Sequence, residues 1–181
     1  GEGQPFDWHA YYQFDEAKGG GGFDLSQLHL AYAAERMEGG SAFPRGARAM
    51  GQLLDTDSAI VVGFEIAGDI ELPVLLQAVG TSIDSAYVTE RASSLQLELF
   101  QIAEGGELSL LASNSDWTAA TDDATITFED AVSQTGAVEP LSPNGGEARI
   151  LVMLGSGRYV VVLRRSSGSV GTAMLEVYDA R

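Results

Sequence analysis

The chain has 181 residues, 45 % of them apolar, no cysteine and a formal net charge of −16. That length and apolar content suit one folded domain with an appendage and exclude a wholly disordered chain. The lack of cysteine removes disulfides, thiolate metal sites and cysteine nucleophiles. The negative field opposes nucleic acid and anionic lipid as partners, and no apolar run is long enough to predict membrane insertion.

Residues 6–14 read Phe-Asp-Trp-His-Ala-Tyr-Tyr-Gln-Phe. Phe6, Trp8, Ala10, Tyr12 and Phe14 fall on every second position, with Asp7, His9, Tyr11 and Gln13 between them. A β-strand sends alternate side chains to opposite faces, so the segment predicts a strand with one aromatic face that needs cover. Gly19–Gly22 come next as a tether. They lack the Gly-Lys-Ser/Thr ending of a phosphate loop.

Residues 23–38 carry two patterns. Asp24 or Ser26 caps a helix ending at Gly39, with Leu25, Leu28, Tyr32 and Glu35 on one side. Equally, Leu28, Leu30 and Tyr32 alternate as a strand. Gly39–Gly46, with Pro44, reads as a loop and a boundary. The expected organisation is an N-terminal extension over 1–46 and a β domain over 47–181.

Beyond the boundary, apolar runs recur between turn signals at 59–66, 73–79, 95–102, 107–112, 124–128, 147–154, 157–164 and 170–178. Leu95, Leu97 and Leu99 alternate with Gln96, Glu98 and Phe100, and Gly105-Gly106 lead into 107–112 as a hairpin. Gly155-Ser156-Gly157 reads as a second hairpin turn. Tyr159–Leu163 is apolar without alternation, which places it centrally, covered on both faces or at an interface. About eight short strands at this spacing predict an all-β antiparallel sandwich or jelly roll.

The charge is uneven. Residues 1–49 sum to −3, residues 50–148 to −16 with Arg91 as their one base, and residues 149–181 to +3. The plain reading is solubility. The sharper ones are calcium binding, or contact between the acidic middle of one subunit and Arg149, Arg158, Arg164, Arg165 and Arg181 of the next. The paired acids Asp55/Asp57, Asp122/Asp123 and Glu129/Asp130 fit no twelve-residue calcium loop. Asn114 and Asp116 are the candidate calcium ligands, against an ordinary role in forming a turn. Trp117 either stacks on a glycan or plugs the end of the sandwich. His9 and His29 are the two imidazoles, and no Gly-x-Ser-x-Gly elbow accompanies them. No catalytic residue and no cofactor is predicted, calcium apart.

Residues 47–180 resemble a β-sandwich repeat of secreted bacterial proteins, similar to pre-peptidase C-terminal domains. The resemblance rests on motifs in order: Gly63-Phe64-Glu65-Ile66-Ala67-Gly68, Val74–Ile83, Leu97-Glu98-Leu99-Phe100, Asn114-Ser115-Asp116-Trp117, Gly155–Tyr159 and Leu175-Glu176-Val177-Tyr178-Asp179. Gln77 stands where the repeat usually has arginine, and residues 84–94 look like an insertion. The resemblance implies a non-catalytic extracellular module, often an appendage on enzymes, adhesins or surface proteins. It does not cover residues 1–46. A tethered amphipathic strand beside a complete sandwich suits docking onto a neighbouring subunit. The expected function is a non-enzymatic subunit of an extracellular fibre or surface assembly, with calcium or glycan binding in a larger secreted protein as the alternative.

Overall fold

The computed structural model describes residues 6–10, 46–66, 69, 71–119, 122–123, 126–139, 142 and 145–181, with backbone alone at 6–10 and 122–123. Tyr12, Phe14, the glycine run, residues 23–38 and His29 lie outside the described residues.

Strands β1 (Phe6–Ala10), β2 (Gly46–Leu53), β3 (Ala59–Ile66), β4 (Leu72–Val79), β5 (Leu95–Ile102) and β6 (Leu108–Asn114) come first in chain order. The two-residue β7 (Asp122–Asp123), helix α1 (Phe128–Thr135), β8 (Ala148–Leu154), β9 (Gly157–Arg165) and β10 (Gly171–Asp179) complete it. They form two sheets, ordered β1-β3-β9-β5-β6 and β2-β10-β4-β8-β7. Pairing is antiparallel throughout except for β7, which runs parallel to β8. The chain is therefore an all-β sandwich.

Alternation decides the core. Leu95, Leu97 and Leu99 of β5 are buried while Gln96, Glu98 and Phe100 are not fully so. Ile60, Val62, Phe64 and Ile66 of β3 and Tyr159, Val161 and Leu163 of β9 join them from the first sheet. Leu72, Val74 and Leu76 of β4, Ile150 and Leu154 of β8, and Leu175 and Val177 of β10 meet them from the second. The Phe64 and Tyr159 rings stack with centroids 5.2 Å apart. As the continuous apolar run predicts, β9 takes the middle place of its sheet.

Three expectations are corrected. The run at 124–128 is not a described strand: Ile126 and Thr127 lead instead into α1. Thr127 Oγ1 accepts from Asp130 N at 3.2 Å, Glu129 and Asp130 sit in the first turn, and Gly136 closes the helix in the left-handed region at φ 68°. These are helix start and stop signals that outweigh the short apolar run. Gly155–Gly157 does not make a hairpin either. It carries the chain from β8 in the second sheet to β9 in the first, and Tyr159 Oη donates to Gly155 O at 2.8 Å across this arch. A glycine-rich turn serves a hairpin and an arch equally, so spacing alone does not separate them. Finally, β2 is absent from the predicted runs. Its sequence Gly-Ala-Arg-Ala-Met-Gly-Gln-Leu is poor in β-formers, and it is held by pairing along β10.

One glycine of the Val74–Ile83 motif has a clear steric reason. A Cβ on Gly80 would stand 2.1 Å from Ala92 O, so the strand end and the 84–94 stretch touch only because no side chain intervenes. We expect Leu97→Ala, which empties space in the middle of the core, to lower stability by about 2–5 kcal/mol, read as a lower urea midpoint at unchanged slope.

Candidate functional site

Strand β1 is the outermost strand of the first sheet. Its register sets Phe6, Trp8 and Ala10 opposite Ile66, Phe64 and Val62, all three members of the main core. Asp7 and His9 stand opposite Glu65 and Gly63. Among the described strands this five-residue strand pairs with β3 alone, and backbone hydrogen bonds to β3 hold it.

The predicted ligands Asn114 and Asp116 lie together in the turn after β6. Asn114 Oδ1 accepts from Asp116 N at 3.1 Å and from Arg149 N at 3.2 Å. Asp116 Oδ1 accepts from Thr118 Oγ1 at 2.7 Å and Thr118 N at 2.9 Å, and the Thr118 hydroxyl holds the carboxyl below its ordinary range. Both side chains build the turn. Among the described residues no three His, Cys, Asp or Glu side chains gather as a metal would need. Of the paired acids, Asp55 Oδ1 likewise caps a turn, accepting from Asp57 N, Ser58 N and Ser58 Oγ.

Trp117 packs with Val79, Ile83 and Met174, and the Arg149 guanidinium lies 5.5 Å from its ring centre. Its indole Nε1–H donates to Ser142 O at 3.1 Å, and its backbone N–H to Glu147 O at 3.0 Å. The ring packs on the outward face of the second sheet, against Val79 and Met174. Glu147 itself is fully buried and accepts four hydrogen bonds, from Gly80 N, Ser82 N, Ser82 Oγ and Ser142 N at 2.7–2.9 Å. Sequence reading passes over Glu147, whose partners are about 5 to 67 residues away.

The outward face of the second sheet carries a polar row that sequence reading also misses. Register aligns Arg48 of β2, Glu176 of β10, Gln77 of β4 and Arg149 of β8 side by side across four strands. Glu176 has no exposed surface. One carboxylate oxygen accepts from Arg48 Nε at 2.7 Å and Tyr178 Oη at 3.0 Å. The other accepts from Gln77 Nε2 at 3.0 Å and Val138 N at 3.1 Å. Gln77 passes the row on, its Oε1 accepting from Arg149 Nε at 2.8 Å, and Arg149 pairs with Glu139. Arg48 Nη2 and Gln77 Nε2 also donate to Gly136 O and Val138 O. The row therefore staples α1 and the following segment to the sheet. Its carboxylate meets four internal donors, which suits a clamp. Gln77 is the middle of the row, donating to Glu176 and accepting from Arg149.

No family model matches the chain, and no curated protein does. Among solved structures, the chain is similar to the pre-peptidase C-terminal domain of collagenase from Bacillus anthracis, at 14 % identity and a TM-score of 0.42, over 73 % of this chain and 88 % of that one. It is also similar to a protein from Sulfurospirillum deleyianum, at 9 % identity and a TM-score of 0.37, over 76 % and 98 % of the two chains. These are likenesses of fold. No helix among the described residues is long and apolar enough to cross a membrane.

Removing the centre of the polar row leaves Arg48 and Tyr178 without their shared acceptor. Glu176→Ala is expected to cost about 3–5 kcal/mol and to speed amide exchange in α1 and at Val138, measured by denaturation and hydrogen exchange. A pH effect arises from Tyr178. Burial, then the neighbouring Glu176 carboxylate, raise its hydroxyl well above the ordinary 10.0, so the fold favours the neutral phenol. This contribution is complete below pH 10 and is lost as pH climbs toward the folded value. Tyr178→Phe should therefore show a shallower fall in melting temperature above pH 10 than the parent.

Proposed function

We propose that the chain is a non-enzymatic structural subunit of an extracellular or cell-surface bacterial assembly, joined when β1 of one copy pairs with β3 of the next. The observation that carries this reading is the place of β1. It is a short edge strand, separated from β2 by residues 11–45, and its register opposes its aromatic positions to core residues of β3. A β1 from a second copy can make the same backbone pairing, so exchange between copies sacrifices no contact made within one. Passed from each copy to the next without closing, such exchange generates a filament. The described side chains add to this reading: the buried carboxylates Glu147 and Glu176 are saturated by internal donors and read as structural groups.

The test is deletion of residues 1–10 from the chain. The parent is expected to form chains of subunits by light scattering and negative-stain microscopy. The deleted protein is expected to stay monomeric with a β-type circular dichroism spectrum, and a synthetic peptide of residues 1–16 should inhibit assembly of the parent. At a charge of −16 the subunits repel one another, so added salt should promote assembly. A parent that remains monomeric under all these conditions, or polymers that survive the deletion, would sink the proposal.

A further inference from the structure

Four of the described strands stand outermost: β1 and β6 in the first sheet, β2 and β7 in the second. An outermost strand offers backbone donors and acceptors to another chain, and proteins blunt such strands with charge, proline, bulges or brevity. Three of the four carry charge. β1 has Asp7, β2 has Arg48, and β7 is two aspartates. β6, Leu-Ser-Leu-Leu-Ala-Ser-Asn, runs for seven residues with neither charge nor proline. Among the described strands it pairs with β5 alone.

The side chains of β6 are open to contact as well. Leu110 is 54 % exposed and Leu111 45 %. Leu108 and Leu110 stand opposite Ile102 and Phe100 of β5, so an apolar strip reaches the margin of the sheet. The register shift between Leu99 and Phe100 passes over Leu111, which has no opposite residue in β5. That bulge twists the strand and limits how long a contact it can make, but it leaves both leucines exposed.

Charge decides what meets this margin. At −16, two copies of the chain repel one another over most of their surface. From Leu108 to Ser115 there is no ionisable side chain, and Glu107 and Asp116 bound the stretch at its two ends. One strand further in, Glu98 stands opposite Ser113 and is paired with Arg164 at 3.7 Å. Here two copies approach with the least repulsion. We propose that β6 is a self-pairing edge, by which two copies of this chain join their first sheets antiparallel about a two-fold axis near Leu111. Such an axis sets the same patch of both copies against itself. It brings Leu110 and Leu111 of the two copies together and carries each Glu107 to the far end of the contact from the other. Seven residues give about 24 Å of edge, a smaller contact than the roughly 800 Å² per partner of a stable complex. The pairing is therefore weak alone and tells where copies are already held close. It rests on β6 and not on exchange of β1.

The absence of cysteine makes one introduced thiol a clean probe. In the full chain under a glutathione redox buffer, Leu111→Cys should give a disulfide-linked dimer faster by about tenfold or more than Tyr87→Cys, because pairing gives its two thiols a high effective concentration. Tyr87 is 82 % exposed, so random collision favours that control. Adding Leu110→Glu to Leu111→Cys should bring its rate down to that of Tyr87→Cys. Adding Leu54→Glu, the same charge at another exposed leucine, should leave the Leu111→Cys rate unchanged. Equal rates for Leu111→Cys and Tyr87→Cys would overturn the proposal. So would trapping that survives Leu110→Glu, or trapping that Leu54→Glu slows as much. The two thiols are compared in the same full chain, so the result reads β6 whether or not β1 exchanges, and either proposal can fail alone.

Discussion

The second sheet is organised around a single buried charge. Glu176 sits in β10, between β2 and β4, with no exposed surface. A carboxylate in such a place is tolerable only when its lone pairs are met in full, since removing an ion from water costs several kcal/mol. Here every partner comes from a different part of the chain: Arg48 from β2, Gln77 from β4, Val138 from the segment after α1, and Tyr178 from β10 itself. Meeting that demand fixes the order β2-β10-β4-β8 and the position of the helix at once. An apolar residue at 176 would bury well but would specify neither, because greasy faces pack in many registers and hydrogen-bonded charges in few. Glu147 repeats the device at the end of the sheet, drawing the turns at Gly80, Ser142 and Trp117 onto one residue.

The parts legible in the sequence reflect this division of labour. The alternation in Leu95–Leu99 and the continuous apolar run Tyr159–Leu163 place β5 and β9 correctly, because burial of one face or two writes itself into neighbouring residues. The fold class comes from the same local signals. The polar row does not, since residues 48, 77, 149 and 176 become neighbours only after four strands are laid side by side. Two local signals are ambiguous for a different reason. Thr127, Glu129, Asp130 and Gly136 spell the start and end of a helix that the short run at 124–128 obscures. Gly155-Ser156-Gly157 announces a sharp change of direction but not whether the chain stays within its sheet. For the candidate site, the aromatic alternation from Phe6 identifies a strand, and its partner β3 is beyond what alternation can name.

The outward faces give the molecule its asymmetry. One is closed by α1 and its flanking loops through hydrogen bonds to named side chains. The other presents aliphatic residues with Arg158 and Arg164 at their margins, and beside them runs the edge where β1 pairs.

The order in which the strands arise along the chain has its own consequence. β9 joins β3 to β5, β10 joins β2 to β4, and these two are the last of the ten described strands. While a ribosome is still making them, β3 and β5 have no neighbour between them, and β2 and β4 are likewise apart. The sandwich therefore cannot close from its first strands onward; it waits for its middle. Long-range pairing of this kind is slow. In a crowded nascent population the unpaired margin of β3 is open throughout that wait, and a strand from an adjacent chain has its easiest access then.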